Sequence, residues 1–386
     1  MTIPGEIREM LPELVAWRRD FHRLPELGYE ERRTARTVAD RLRAFGVDTV
    51  AEGIGRTGVV GVIRNGDGPA IGLRADMDAL PIHETGTAAH RSTVDGVMHA
   101  CGHDGHTTML LGAARYLAAT RRFRGTVVLI FQPAEEGKAG AKAMIDDGVL
   151  ERFPIEAIYG LHNIPGMPAG EVAVSPGTVM AAVDRFSVAI RGKGGHAAMP
   201  HLNRDPVLAA ASLVVSLQSV VSRSRDPSRP TVVTVTRINA GEADNATPGR
   251  ATILGNVRYL DPEGGPAIRD EIARIAGGTA ATFGVAADVD YVFGRPPTVN
   301  SADEAALARS AAESLAPAVS VAPRQVPLMA AEDFSYFLKA RPGAFAFLGA
   351  GEDRPALHAS DYDFNDDIIA PGTAFLSRLA EAALVR

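Results

Sequence analysis

Hydrophobic and polar positions follow two different rhythms along the chain, and the change between them divides the sequence. From Leu11 to Gly46 apolar residues recur at helical spacing with an interruption at Leu24-Pro25, which predicts two helices. Further apolar runs predict strands over 59–63, 70–73, 125–131 and 155–160, and a helix over 107–119. Strands that alternate with helices predict a mainly parallel sheet flanked by helices.

The second rhythm begins near Val183. It predicts strands over 186–191, 231–238, 251–259 and 287–293, with helices over 205–222 and 266–283. This β-α-β-β-α-β order is that of a ferredoxin-like, split βαβ unit. The first rhythm returns after Pro296. We therefore predict an α/β domain of residues 1–183 and 297–386, into which an α+β ferredoxin-like domain of residues 184–296 is inserted.

Composition agrees with this division and excludes some partners. A chain of 386 residues exceeds the size of most single cores, so two domains are expected. The net charge of −6 gives no excess of basic residues for nucleic acid or anionic lipid. No run of about 18 apolar residues is present to span a membrane, and the N-terminus lacks a signal-peptide pattern. A single cysteine fits a reducing compartment, so we expect a cytoplasmic protein.

The chemistry begins with residues 99–106, HACGHDGH, which hold the one cysteine and three of the ten histidines. Cys101 and His103 are two positions apart, which points both side chains the same way in an extended loop, and Gly102 favours a loop. A thiolate and an imidazole suit zinc, or manganese, cobalt or nickel when carboxylates are added. For Cys101 alone a buried structural thiol is the simpler interpretation, but the surrounding histidines favour a metal site.

Other candidate side chains follow predicted strands of the first domain. They are Asp76 and Asp78, Glu135 and Glu136, His162, and His358. The carboxyl ends of strands in an open α/β sheet are where ligands bind. A glutamate pair is often only a solvated surface, but this pair lies between a buried strand and a glycine. Adjacent carboxylates there allow one to bind metal and the other to act as general base.

Several strings of the sequence resemble one enzyme family. In chain order they are FHRLPELGYEE, RADMDALPI, HACGHDGH, QPAEEG, GLHN, GKGGHAAMPH and AEDF, and they extend over nearly the full length. Together they resemble the amidohydrolases of the M20 metallopeptidase clan, in the subgroup of hippurate hydrolases, N-acyl-amino-acid amidohydrolases and plant IAA-amino acid hydrolases. The resemblance implies a zinc-peptidase-like catalytic domain with an inserted dimerisation domain.

The resemblance also implies a site for two divalent metal ions, which could be Mn, Zn, Co or Ni. The implied ligands are Cys101, His103, Glu136, His162 and His358, with Cys101 between the ions. Glu135 would be the general base. Asp78 stands where relatives place an aspartate that orients a metal-binding histidine, and Asp76 stands where that histidine would be. We expect both aspartates to lie behind the ligands and to aim His103 or its neighbours.

The inserted domain carries further residues that the resemblance assigns to the substrate. The histidine that matches His196 reaches the substrate's carbonyl oxygen, in some relatives across a subunit interface. His201 would contact the substrate, and Asn245 and Arg258 would bind its terminal carboxylate. The string ADNATPGR departs from the commoner Asn-hydrophobic-Pro pattern. Lys138 follows Gly137 where relatives often have a second glycine, and it could bind an acidic substrate group or face solvent.

We therefore expect a metal-dependent amidohydrolase that cleaves an N-acyl-amino acid such as N-benzoylglycine and forms a homodimer or a dimer-based tetramer. One alternative is an aminoacyl peptidase or carboxypeptidase of the same clan. Another makes Cys101 a nucleophile activated by a histidine, which leaves Glu136, His162 and His358 without a role. A third is a metal- or ligand-binding protein without turnover, against which the glutamate pair argues.

Overall fold

Helices and strands alternate along the computed structural model of the chain, which describes residues 3–384. The helices are α1 (Gly5–Arg23), α2 (Arg32–Ala44), α3 (His103–Thr120), α4 (Glu135–Lys138), α5 (Gly140–Asp146), α6 (Val149–Arg152), α7 (Pro206–Ser224), α8 (Gly264–Phe283), α9 (Ala302–Glu313), α10 (Ser335–Ala340) and α11 (Ile369–Ala383). The strands are β1 (Thr49–Ile54), β2 (Gly58–Asn65), β3 (Ala70–Asp76), β4 (Gly125–Gln132), β5 (Ala157–Pro165), β6 (Glu171–Ala173), β7 (Gly177–Met180), β8 (Ala182–Arg191), β9 (Gly195–His196), β10 (Thr231–Ala240), β11 (Ala246–Thr247), β12 (Arg250–Tyr259), β13 (Ala286–Arg295), β14 (Thr298–Asn300), β15 (Ser320–Val321) and β16 (Gly343–Gly351).

Two compact units result. The first comprises the chain up to Val179, Val299–Val326 and the chain from Asp333 onward, and the second comprises Met180–Thr298 and Pro327–Glu332. The first unit is built on a mixed sheet with the strand order β1-β2-β4-β3-β5-β16-β6-β15. Its central strands β4, β3, β5 and β16 are parallel, whereas β2 joins β4 antiparallel. The predicted α/β architecture, a mainly parallel sheet with flanking helices, is confirmed.

Two local predictions near the candidate site were wrong. Helix α3 begins at His103 and not at residue 107, because Gly102 adopts a left-handed conformation (φ 87°) that turns the chain directly into the helix. Cys101 and His103 therefore do not share an extended loop. His162 was expected after a strand that ends at residue 160, but it lies within β5, which continues to Pro165 because it pairs with β16 along that length.

The second unit is a four-stranded antiparallel sheet with the order β10-β12-β8-β13 and the two helices α7 and α8. This is the arrangement of a split βαβ unit, as the sequence pattern predicts. The side chain of Asp205 caps α7 by accepting from the backbone N–H groups of Val207 and Leu208. Helix α7 is also long and apolar enough to cross a membrane by length and composition alone. A single such helix is weak support for a membrane span, because core helices meet the same criterion.

A buried ionic network joins α1 to the first turn of α3 in the first unit. His22 Nδ1 lies 2.8 Å from Asp104 Oδ2, and His22 Nε2 lies 3.3 Å from Glu84 Oε1. The fully buried Arg18 donates to Asp363 and Asp366, at 2.8 and 2.7 Å, in the loop that follows His358. Burial by itself lowers the pKa of His22, but the bonds to Asp104 and Glu84 outweigh it and raise the pKa to about 9.

This network predicts a stability that depends on pH through His22. Because the folded-state pKa lies above the ordinary value of 6.5, the stabilisation is fully present below that value and is lost as the pH rises through about 9. We expect the difference in unfolding free energy between wild type and His22→Gln to shrink by ~3 kcal/mol between about pH 6 and about pH 10. Urea titrations of both proteins in chelator measure this difference.

The matched control is His83→Gln, which removes a histidine from an exposed pair with Asp95. Exposed pairs contribute little, so this difference should stay within about 0.5 kcal/mol across the same pH range. A His22→Gln difference that is equally flat would contradict the assigned role of the network.

Candidate metal centre

The residues predicted to bind metal come together within the first unit. Their ligand atoms form three overlapping groups, and within each group these atoms lie within 4.8 Å of one another. The groups are Cys101, His103 and His162; Cys101, Glu136 and His358; and His103, Glu135 and Glu136. Cys101 belongs to two of these groups. The arrangement supplies soft and hard donors within one small volume.

Backbone carbonyls fix the orientation of the two buried histidines. His103 Nδ1 lies 2.8 Å from the carbonyl oxygen of Asp78, and His162 Nδ1 lies 2.7 Å from that of Asn163. Since a carbonyl can only accept, each Nδ1 carries a proton, so the neutral form of each ring presents its lone pair at Nε2. His162 Nε2 lies 3.5 Å from Cys101 Sγ. This is the tautomer and the aim that a metal-binding histidine requires.

Two buried atoms without hydrogen-bond partners indicate a site that suits a cation. Among residues 3–384, His103 Nε2 and Glu136 Oε1 are buried without a hydrogen-bond partner. His358 Nε2 lies 3.2 Å from Glu136 Oε1, as in an ion pair, but without hydrogen-bond geometry. Buried polar atoms are normally satisfied, and a divalent cation would satisfy both of these at once. The donor set therefore fits a metal site.

The protonation states also favour metal binding over cysteine chemistry. Burial raises the pKa of the Cys101 thiol well above its usual range, and burial lowers the pKa of His162 to about 3. The chain alone therefore provides no thiolate-imidazolium pair, which a cysteine nucleophile needs. Burial lowers the pKa of His103 too, but the charge of the Asp76 carboxylate outweighs it and raises that pKa. The site thus attracts positive charge.

The glutamate pair is held by Asp78. Its Oδ1 accepts from the backbone N–H of Glu135 and its Oδ2 from that of Glu136, both at 2.9 Å. The Glu135 carboxylate is itself buried, and its Oε1 accepts from the Asp333 N–H at 3.2 Å. Asp78 therefore contacts both sides of the site, with its carboxylate on the glutamate turn and its carbonyl on His103. The Asp78 carboxylate bonds to the glutamate turn and not to the His103 ring, because His103 Nδ1 lies 3.4 Å from Asp78 Oδ1.

Asp76 lies behind the candidate ligands in a buried ionic network. Its Oδ2 accepts from Arg74 at 2.7 Å, and its Oδ1 lies 2.6 Å from His106 Nδ1. The same Oδ2 is 3.6 Å from His103 Nε2. Arg74 also donates to Asp333 Oδ1 at 3.2 Å, so one arginine connects this aspartate to the residue that contacts Glu135.

Sequence reasoning assigned no role to several of these residues. They are Arg74, His106, Asn163, Asp333 and Tyr362. Asn163 Nδ2 donates to the Tyr362 hydroxyl at 2.6 Å, and its Oδ1 lies 2.6 Å from His106 Nε2. Two sequence features could have identified some of them. Arg74 is a charged residue at the end of an apolar strand, and His106 and Asp333 belong to the strings HACGHDGH and AEDF.

The substrate-binding candidates lie in the second unit. His196 is exposed on β9, where its Nδ1 accepts from the Ala198 N–H at 3.1 Å. His201 lies in the following short turn, and the Asn245 carbonyl accepts from the Ala197 N–H at 3.0 Å, so these three residues are neighbours. Arg258 lies at the other end of β12 and donates to the Met329 carbonyl at 2.8 Å. The structure does not bring Arg258 and Asn245 together within one chain.

Comparison with known proteins gives a consistent result. Residues 72–382 match Peptidase family M20/M25/M40. The chain is 42% identical to a hippurate hydrolase of Campylobacter jejuni over 381 residues, which cover 98% of this chain and 99% of that protein. It is 41% identical to an IAA-amino acid hydrolase of Arabidopsis thaliana, over 96% of this chain and 85% of that protein. A dinuclear metal binding peptidase of the M20 family from Bacillus subtilis superposes with a TM-score of 0.88 at 33% identity, over 98% and 99% of the two chains.

The left-handed conformation of Gly102 allows a test of the candidate metal centre. A Cβ there would overlap Asn163 Oδ1 and lie 2.8 Å from the Tyr362 hydroxyl, at a φ of +87°. Gly102→Ala should therefore move the cysteine loop, lower the unfolding free energy by about 2 kcal/mol or more, and reduce the metal bound per chain. Elemental analysis after reconstitution measures the last effect.

Gly96→Ala is the matched control. Gly96 has a similar φ of +73°, but nothing lies within 4 Å of its ideal Cβ. This variant bears only the local backbone strain, about 1 kcal/mol, and should keep full metal content. Equal metal contents in the two variants would show that the contact at Gly102 does not shape the site.

Proposed function

Because the chain belongs to peptidase family M20/M25/M40, we propose that its metal centre hydrolyses the amide bond of N-acyl-amino acids of the hippurate type. The protein is an amidohydrolase that acts on C–N bonds. One observation carries the more specific proposal: a pair of adjacent glutamates lies beside a thiol and three imidazoles, and among these ligand atoms His103 Nε2 and Glu136 Oε1 are buried without a hydrogen-bond partner. We expect the enzyme to work in a cytoplasmic, reducing environment in which Cys101 remains a thiol or thiolate.

We propose two divalent ions at this centre, of Mn, Zn, Co or Ni. The residues that would hold them are Cys101, His103, Glu136, His162 and His358. Ions held there would lower the pKa of a water and polarise the amide carbonyl. Hydrogen bonds to backbone carbonyls orient two of these ligands: His103 bonds to the Asp78 carbonyl and His162 bonds to the Asn163 carbonyl.

Glu135 is the proposed general base. It lies beside Glu136, and its ligand atom is within 4.8 Å of those of Glu136 and His103. From there its carboxylate can take the proton of the attacking water and deliver it to the leaving amine nitrogen. Its own burial and the Asp333 N–H hold it in place. His196 is the proposed donor to the developing oxyanion.

His201, Asn245 and Arg258 are proposed to bind the amino-acid part of the substrate. Asn245 lies just before β12 and Arg258 near its end, about 25 Å apart at the rise of an extended strand. A single carboxylate spans only a few ångströms, so these two residues of one chain do not hold it together. Their joint action would require residues from two chains, which supports a homodimer or a dimer-based tetramer.

An exposed apolar stripe on α7 also supports association. Leu208 and Val215 are 53% and 73% exposed, and their spacing of seven residues places them on one face of the helix. A row of exposed apolar side chains on one face marks a surface that other protein covers, whereas a single exposed apolar side chain does not. We propose that the second unit forms the dimer contact.

The dimer proposal predicts that a charge at the centre of this stripe separates the subunits. Val215→Glu should convert the dimer to a monomer, because a carboxylate buried in an apolar contact is costly. Analytical ultracentrifugation gives the mass. Val326→Glu is the control, since Val326 is 69% exposed in the first unit. A Val215→Glu protein that remains dimeric would move the interface elsewhere.

The catalytic proposal predicts a selective loss in Glu135→Gln. Removal of a general base lowers kcat by about 100- to 10,000-fold, whereas the metal content should stay at the wild-type level because Glu136 is intact. Turnover of N-benzoylglycine and a panel of other N-acyl-amino acids, with elemental analysis of each protein, measures both.

Glu151→Gln, at an exposed position of α6, is the control and should behave like wild type. Chelation should abolish wild-type activity, and added Mn, Zn, Co or Ni should restore it. Full activity of Glu135→Gln would eliminate Glu135 as the base, and full activity in chelator would eliminate the metal mechanism.

A further inference from the structure

The glutamate pair lies on an unusual turn. Ala134, which precedes it, is left-handed at φ 53°, Glu136 departs from helical geometry at ψ 84°, and Gly137 has a φ of 77°. A non-glycine residue in the left-handed region is uncommon and persists only when surrounding contacts hold it. Something outside the turn must therefore keep it in this shape.

Three successive backbone N–H groups of this turn point at carboxylates from elsewhere in the chain. The N–H of Ala134 donates to Glu31 Oε1 at 2.8 Å. Those of Glu135 and Glu136 donate to the two oxygens of Asp78 at 2.9 Å. Successive N–H groups in such a conformation form a concavity that binds anions. Here the protein fills that concavity with two of its own carboxylates.

Glu31 is built into this position. Its side chain is completely buried, and Oε2 accepts from the Thr57 hydroxyl at 2.6 Å while Oε1 accepts from Ala134. Both carboxylate oxygens thus have donors, which fixes the carboxylate plane against the turn. Nothing in the metal chemistry described above uses this acid.

The segment around Glu31 packs directly on the turn. An ideal Cβ at Gly28 would lie 3.0 Å from Ala134 Cα, so a larger residue there would push against the turn. Lys138 Nζ donates to the Gly28 carbonyl at 2.8 Å, and the Tyr29 hydroxyl donates to the Lys138 carbonyl at 2.9 Å. The ammonium of Lys138 is therefore used to join residues 28–31 to the end of the glutamate turn.

We propose that Glu31 is a positioning residue for Glu135: it holds the left-handed Ala134 and thereby fixes where the neighbouring catalytic carboxylate points. This inference rests on the proposed role of Glu135 as general base. A small displacement of a catalytic group costs rate, about 100-fold for 1 Å, without weakening substrate binding in proportion. Glu31 therefore acts on kcat more than on KM.

The test compares Glu31→Ala, Glu31→Gln and Glu30→Ala. Glu31→Ala should lower kcat by about 10- to 100-fold with KM within about twofold. Glu31→Gln keeps a carbonyl acceptor of the same length and should recover most of kcat. Glu30→Ala changes the adjacent, exposed glutamate and should match wild type. All assays use the metal-loaded enzyme and N-benzoylglycine, well below the thermal midpoint.

A second readout is independent of metal and activity. Hydrogen exchange of the metal-free protein, followed by mass spectrometry, should show faster exchange in peptides that contain residues 134–136 in Glu31→Ala, and not in Glu30→Ala. If Glu31 only stabilises the fold, the melting temperature falls while kcat per folded chain and this local exchange match wild type, which overturns the proposal. If Glu31→Ala does not fold, Thr57→Val decides, because it removes the hydroxyl that holds Glu31 Oε2. Its exchange at residues 134–136 must exceed that of Glu30→Ala, and wild-type exchange there overturns the proposal.

The failure of this inference is distinct from that of the proposed function. If Glu135→Gln is inactive and the Glu31 variants keep wild-type kcat, the base is correct and the positioning role is wrong. If Glu135→Gln is fully active, the proposed base itself is wrong, whatever the Glu31 variants do.

Discussion

The site depends above all on the contacts of one aspartate. The carboxylate of Asp78 accepts the N–H groups of both glutamates, and its carbonyl accepts the Nδ1–H of His103. Hydrogen bonds to an ionised acceptor are stronger than neutral ones, and the buried surroundings strengthen them further. Through this residue, the segments after β3 and β4 and the start of α3 share one reference point. The remaining donors are arranged around it.

Around this point the first unit buries an unusual number of charges. Arg74, Asp76 and Asp333 form one network beneath the site, and Arg18, His22 and Asp104 form another along α1 and α3. Buried ion pairs often add little net stability, because desolvation offsets their attraction. Their effect here is geometric: each one connects elements that are distant in sequence, and loss of one partner would leave the other charged and buried.

The sequence predicted the mainly parallel α/β architecture, and it singled out the side chains that the structure brings together at the candidate centre. Apart from Asp76 and Asp78, it did not identify the residues that hold them. Periodicity identified the mainly parallel sheet and the split βαβ order, since each depends on local spacing of apolar residues. Local spacing misplaced the start of α3, because the effect of Gly102 depends on a left-handed turn. The contacts of Glu31 with Ala134 and of Arg74 with Asp333 were not predictable, since each joins residues about a hundred or more positions apart and no local pattern records the pairing.

The shared peptide bond of Glu135 and Glu136 has a consequence for metal choice. One glutamate is assigned to coordination and its neighbour to proton transfer, and a single short turn carries both. An ion of different radius that pulls Glu136 by a few tenths of an ångström also displaces its neighbour. Exchange of one divalent metal for another would thus change the distance over which the proton is transferred as well as the Lewis acidity of the ion. A change in which metal the protein binds would therefore also change its turnover.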